Sequence, residues 1–340
     1  MSNVMPAAMP KVLPKVMPKV LPDVLPGVLP DVVPDAMLRC TDVGVRFGGV
    51  KALDGVSCAL AKGQITSVIG PNGAGKTTLL NAFTGMVPMT SGSILLRDER
   101  VDAQPPHVRA GKGILRTFQN LEVFTNMTVL ENVMAGRHRK GAYGVLDAFF
   151  KTPRYHREER ECREAAMRAL EFTGIADMAE LPAGELAYGN QRLLEMARVI
   201  AAEPELLLLD EPAAGLNMRE TRELGTLIRR MRDELGITVA LVEHDMELVM
   251  DVSDMIYVLC FGELLASGTP LEIQRNPAVI AAYLGTDDED TPDYGDDVAD
   301  GYAPEDGPDV AACGAADGET DGVAEGAPDA DSAEETGREA

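Results

Sequence analysis

Eight consecutive residues limit this chain more than any others: Gly70, Pro71, Asn72, Gly73, Ala74, Gly75, Lys76 and Thr77. They fit the pattern G-x-x-x-x-G-K-[ST], in which glycines let the backbone wrap a polyphosphate with its N–H groups pointing inward. The flanks fit too. Gln64 to Ile69 reads as a buried strand, and Thr78 to Phe83 reads as a helix with Gly85 as its C-cap. The helix start adds partial positive charge, typically ~0.3–1 kcal/mol and up to ~2 when partly buried. In such a loop the lysine, Lys76, reaches the β- and γ-phosphates and the hydroxyl of Thr77 ligates Mg²⁺. Thr78 joins the nucleotide-binding set. A Gly-rich turn without a ligand does not explain a lysine set among glycines with no acid near it in sequence.

The strand–loop–helix predicts an α/β chain, and the rest of the sequence agrees. Leu206 to Leu209 is an apolar run without alternation, ending in Asp210 and Glu211; Thr238 to Val242 is another, followed by Glu243 and His244. Runs of this kind are buried on both faces, as in a parallel sheet. Ligands bind such sheets beyond the carboxyl ends of the strands. Asp210 there can hold Mg²⁺ through water, Glu211 can polarise an attacking water, and Gln119, just past a short strand from Ile114, can reach the metal or the water. His244 falls at the same end. Leu186 to Arg192 is a glycine-containing turn before an amphipathic helix, a second helix start suited to an anion.

Several other segments are readable. Val43–Phe47 and Val50–Val56 read as strands around Gly48-Gly49, and Ser93–Leu96 as a further strand. Residues 121–187 have a helical pattern, with a capping box at Thr128 and Glu131 and a charged helix from about Arg157 to Thr173. Met255–Leu259 and Leu264–Ser267 read as a closing hairpin, and Pro270–Leu284 as a last helix.

The two ends differ from this middle. Prolines fall every fourth residue from 6 to 34, which blocks helix and predicts a polyproline-like arm over 1–36; Met37 is an alternative translation start. Of the net charge of −24, residues 286–340 supply 20 acids and one base, Arg338, so the remainder is only mildly acidic. That tail cannot bury enough apolar surface to fold. The folded part is therefore expected over 37–285. The five cysteines show no C-x-x-C pattern, which fits unpaired thiols in a reducing compartment. No apolar run reaches the ~18 residues that span a bilayer, and no signal peptide is visible.

Taken in order, these motifs resemble the ATP-binding subunits of ABC transporters over about Leu38 to Gly285. The glutamine loop falls at Gln119, the signature at Leu186 to Arg192, the Walker B strand at Leu206 to Glu211, the D-loop at Ala213 to Asn217, and the switch histidine at His244. Within that family, Arg46-Phe47-Gly48-Gly49, Lys151-Thr152-Pro153, the Leu-Ala-Tyr-Gly signature, Asp-Glu-Pro-Ala-Ala-Gly-Leu-Asn and Glu-His-Asp-Met look like the branched-chain amino acid import group. There are departures. Ala187 stands where most signatures have serine, Asn190 where glutamine is usual, and Asn217 where aspartate is commoner.

The resemblance implies an ABC-type P-loop ATPase: a mostly parallel sheet core, an antiparallel β subdomain and a helical insert at about 121–187. It implies ATP and Mg²⁺ as ligands, with two such subunits meeting head to tail. Each ATP would then lie between the phosphate loop of one subunit and Ala187, Gly189 and Asn190 of the other. Phe47 would stack on adenine, Glu211 would orient water, and His244 would contact the γ-phosphate. It further implies membrane permease subunits as partners, a substrate-binding protein acting indirectly, and a peripheral position on the cytoplasmic face of the plasma membrane. The second ATP-binding subunit is a copy of this chain or a paralogue. Nucleic acid is not expected, since no basic groove is evident. The rival readings are import of urea or short amides, an ABC ATPase outside transport, and a soluble phosphate-loop kinase, which would need neither the signature turn nor His244.

Overall fold

The computed structural model describes residues 35–117, 122–138 and 145–284. The expected proline arm up to residue 34, the acidic tail, Gln119 and Cys313 lie outside the described residues.

The chain opens with a long hairpin, β1 (Ala36–Phe47) and β2 (Val50–Ala61). Both strands run further than the apolar pattern alone indicates, because antiparallel pairing from Ala36↔Ala61 to Phe47↔Val50 recruits exposed residues as well. Then follow β3 (Ile65–Ile69), α1 (Lys76–Thr84), β4 (Ser91–Leu96), β5 (Glu99–Arg100), α2 (Pro106–Gly111) and β6 (Ile114–Arg116). Three helices come next: α3 (Val129–Arg137), α4 (Val145–Phe150) and α5 (Pro153–Thr173). The second half carries α6 (Tyr188–Ala201), β7 (Leu206–Asp210), α7 (Met218–Leu235), β8 (Thr238–Val242), α8 (Met246–Val252), β9 (Met255–Cys260), β10 (Glu263–Gly268), α9 (Pro270–Gln274) and α10 (Pro277–Leu284).

Two sheets organise these elements. One is antiparallel, in the order β2-β1-β4-β5. The other has six strands, β10-β9-β3-β8-β7-β6, parallel from β9 to β6 and closed by the antiparallel β9–β10 hairpin. Every residue of β3, β7 and β8 is buried, as unalternated apolar runs require. One core cluster joins the six-stranded sheet to α3, α5, α6 and α7; another fills the space between the two sheets and α1.

Local chemistry sets the helix limits. The Thr128–Glu131 capping box starts α3 as expected. The α5 helix begins at Pro153, four residues ahead of the sequence expectation, because the Thr152 side chain accepts from the Tyr155 N–H and proline suits the first helical position. The expected single helix over 270–284 is two. Pro277 has no N–H and disfavours helical geometry in Asn276 before it. Asn217 is the N-cap of the 18-residue α7, whose Glu220 completes a capping box. Cys40 and Cys58 are register partners on β1 and β2 with sulfurs 3.2 Å apart, and both are free thiols. No helix among the described residues is long and apolar enough to cross a membrane.

Candidate functional site

The phosphate loop connects β3 to α1 and is wedged against β9. At Gly70, with φ of 150°, a Cβ would collide with the Leu259 carbonyl, so only glycine lets the chain turn so close to that strand. Farther along, the Gly262 N–H donates to the Ala74 carbonyl at 3.1 Å and ties the loop to the β9–β10 turn. Gly75 is the N-cap of α1 and supplies no side-chain acceptor. The first-turn N–H groups of Lys76, Thr77 and Thr78 are thus left for another acceptor. Thr77 is exposed and Thr78 half-buried.

Lys76 is buried, and its ammonium donates to the carbonyls of Gly70 (2.6 Å) and Pro71 (3.0 Å). Burial pushes it below the ordinary lysine value, while the charges of Glu211 and Asp210 act in the opposite direction. No acid lies near Lys76 in sequence, but folding brings two within electrostatic reach. An uncapped helix start, a lysine whose ammonium donates to loop carbonyls, and a loop whose ends, Gly70 and Gly75, admit no Cβ together fit a polyphosphate.

Asp210 and Glu211 stand at the end of β7. Asp210 is 3% exposed, and its Oδ2 accepts from Arg116 Nη2 at 2.6 Å, while Arg116 Nη1 donates to Asn81 of α1 at 2.5 Å. One guanidinium thus joins the strand before Gln119, the strand of Asp210 and the helix of the phosphate loop. Sequence reasoning missed Arg116; the signal was a cation inside the short apolar run from Ile114. The Thr77 hydroxyl and the Asp210 carboxylate are hard oxygen donors of the kind Mg²⁺ takes. Glu211 sits in left-handed backbone, φ 48°. For a residue with a Cβ that conformation costs about 1–2 kcal/mol.

Past Glu211 the chain meets two side chains that the motifs also missed. Glu243 is 1% exposed; its Oε1 accepts from the Ala213 N–H at 2.7 Å and its Oε2 from the His244 N–H at 3.1 Å. Burial pushes its carboxyl above the ordinary glutamate value, against the pull of those N–H groups and of the His244 imidazole. The hydroxyl of Tyr188 donates to the Ala214 carbonyl at 3.0 Å. The Tyr188 ring lies where a Cβ on Gly215 would be, within 3.0–3.2 Å, so that position requires glycine. A large residue inside a glycine turn was the available signal for Tyr188. Nothing in the sequence around Glu243 distinguished it from other acids after a strand.

The remaining candidates are more open. The His244 side chain is 70% exposed, with Nδ1 at 3.8 Å from Glu243 Oε2. Phe47, at the tip of the β1–β2 hairpin, is 51% exposed. Ala187 is the exposed N-cap of α6 and, like Gly75, offers no side-chain cap. Gly189 packs against the Glu220 side chain, and Asn190 donates its amide to the Met178 sulfur at 3.5 Å. Among the described residues no hydrogen bond or ion pair joins Ala187, Gly189 or Asn190 to the phosphate loop. The structure therefore gathers the phosphate loop, Asp210, Glu211 and Arg116 together and leaves the second helix start apart.

Comparison with known proteins gives a consistent set. Residues 53–214 match the ABC transporter family, and residues 263–289 match the branched-chain amino acid ATP-binding cassette transporter family. The chain is 47% identical over 249 residues to the high-affinity branched-chain amino acid transport ATP-binding protein BraF of Pseudomonas aeruginosa, a span of 73% of this chain and 98% of that protein. It is likewise 47% identical over 241 residues to LivG of Escherichia coli, spanning 71% of this chain and 94% of LivG. Among solved structures it is similar to the ADP conformation of MJ1267, an ATP-binding cassette of an ABC transporter. The TM-score is 0.65 with 31% identity, over 74% of this chain and 99% of that one.

Proposed function

This chain belongs to the ABC transporter family, within the group of branched-chain amino acid ATP-binding subunits, and is an ATPase coupled to transport; from that premise we propose that it binds ATP with Mg²⁺ and drives import of leucine, isoleucine and valine. The observation that carries the reading is Lys76, buried against the Gly70 and Pro71 carbonyls and balanced by Asp210 and Glu211. The BraF and LivG relatives support the substrate class.

In the mechanism we propose, the uncapped N–H groups of α1 and the loop backbone bind the β- and γ-phosphates. Lys76 turns its ammonium from the loop carbonyls to the phosphate oxygens and stabilises charge on them as the bond to the leaving group breaks. Phe47 stacks on the adenine. Glu211 orients the attacking water and takes its proton, and His244 contacts the γ-phosphate. Thr77, Gln119 and, through water, Asp210 would hold Mg²⁺, which neutralises charge on the phosphate oxygens. Arg116 fixes one oxygen of Asp210 and leaves the other for that task.

The exposed start of α6 serves the nucleotide of a second ATP-binding subunit, head to tail. Ala187 leaves its phosphate contact to backbone N–H groups around Gly189 and Asn190 and to the helix dipole. The domain division that goes with this is an ATP-binding domain over 37–285, its helical segment at 121–187 facing permease subunits on the cytoplasmic side of the membrane.

Uptake tests this reading. Cells lacking the chain are given wild type or Lys76→Ala, and labelled leucine, isoleucine and valine are followed. Rescue by wild type alone supports it. Uptake that never depended on the chain removes the branched-chain assignment and brings urea or short amides forward.

A further inference from the structure

We propose that Glu243 is a positioning residue for hydrolysis, its carboxylate holding the Glu211–Ala214 turn and the backbone of His244 in one arrangement. The inference rests on reading Glu211 as the carboxylate that orients water.

Glu211 occupies left-handed backbone with φ of 48°. A residue with a Cβ stays in such a conformation only where its surroundings over-determine it. The constraints can be followed bond by bond. The Glu211 N–H donates to the Val242 carbonyl at 2.8 Å, and the Ala214 N–H closes the turn onto the Glu211 carbonyl at 3.2 Å. Pro212 has no N–H to give. The one donor left in the turn is the Ala213 N–H, and it goes to Glu243 Oε1 at 2.7 Å. The strained turn is therefore held from the neighbouring strand by a side chain.

The second oxygen of Glu243 matters as much. Oε2 accepts the His244 N–H at 3.1 Å, at the residue read as the γ-phosphate contact. A single carboxylate thus spans the segment of the water-orienting acid and the segment of the switch histidine. Both of its oxygens receive donors. Glutamine has the same size but one acceptor oxygen, and its amide would set an N–H against a backbone N–H. The carboxylate is also buried, and within ion-pair distance among the described residues it has only the His244 imidazole, at 3.8 Å. A buried carboxylate without Lys or Arg is costly. The geometry it imposes is the compensation. The turn is anchored at its far side too, where the Tyr188 hydroxyl donates to the Ala214 carbonyl.

The test uses the full chain in the assembled transporter, with Glu243→Gln, Glu211→Gln and the double variant, measuring kcat and KM for ATP and, separately, the affinity for ATP. Glu243→Gln is expected to lower kcat by roughly 10- to 10²-fold, the weight of a misplaced reacting group. KM and affinity should stay within about twofold, since the nucleotide is held by the phosphate loop. The double variant should be no slower than Glu211→Gln alone, because Glu243 acts through Glu211. A Glu243→Gln chain with wild-type kcat, beside a slow Glu211→Gln chain, overturns the inference and leaves the role of Glu211 standing. A Glu243→Gln chain that misfolds or loses ATP affinity makes Glu243 a structural residue and overturns it as well. Wild-type kcat in Glu211→Gln instead removes the reading on which the inference rests.

Discussion

The N-termini of α1 and α6 use the same device with opposite completeness. Each has a glycine at its start, Gly75 as the N-cap of α1 and Gly189 within the first turn of α6, and neither N-cap, Gly75 or Ala187, supplies a side-chain acceptor. At α1 the free N–H groups have a buried lysine beside them and two acids in range. At α6 the cap and Tyr188 are exposed, and the cation one turn in, Arg192, is buried and paired with Glu195, while the Tyr188 hydroxyl bonds both Arg192 and the Ala214 carbonyl. A helix start with uncapped N–H groups attracts an anion but does not itself assemble a reaction site. The α1 start has its chemistry within the subunit. The α6 start has no buried lysine and paired acids of this kind beside it, which agrees with the proposal that it completes the site of a second subunit.

The largest effects should fall on the complete site. Glu211→Gln is expected to slow hydrolysis by ~10²–10⁴, the weight of a general base, and to trap the ATP-bound dimer. A steady-state phosphate-release assay checks the rate. Lys76→Ala should cost ~10²–10³ in hydrolysis, as loss of one charged donor does, and should also weaken ATP binding to the lone chain. An equal loss of hydrolysis without loss of binding would move Lys76 from holding the nucleotide to acting only on the reacting phosphate.

How much of this was legible beforehand differs between the two regions. The phosphate loop, Asp210 and Glu211 were readable because their chemistry follows from residue type at fixed spacing. The unalternated runs of β7 and β8 announced burial on both faces, and every residue in them is buried. Arg116 and Glu243 were not readable. Each acts on a residue far away in sequence, Arg116 on Asp210 and Glu243 on Ala213, and only strand pairing brings those together. Tyr188 stands within the Leu186–Arg192 motif, but its partner Ala214 lies 26 residues on. The break between α9 and α10 was legible in Pro277, yet the apolar pattern runs across it.

Smaller effects sharpen the link between the regions. As pH falls, Glu243 takes up a proton earlier than a solvent-exposed glutamate, because burial raises its pKa. Protonation turns one acceptor oxygen into a donor facing a backbone N–H. Hydrolysis should therefore decline on the acid side while ordinary carboxylates are still ionised, and Glu243→Gln should flatten that limb. A pH profile of kcat shows whether it does. Tyr188→Phe removes the hydrogen bond to the Ala214 carbonyl, net about 0.5–1.5 kcal/mol, together with the longer one accepted from Arg192, and should reduce hydrolysis by no more than about tenfold without changing ATP affinity. A larger loss would mean that Tyr188 touches nucleotide directly.

The claim that one helix start is complete and the other serves a partner is tested most directly by measuring ATP affinity of the lone chain for Lys76→Ala and Gly189→Asp, alongside hydrolysis in the assembled transporter. The account predicts that both variants lose hydrolysis, while only Lys76→Ala loses affinity in the lone chain. If Gly189→Asp weakens ATP binding to the lone chain as much as Lys76→Ala does, the α6 start belongs to the same subunit's site and the account is wrong.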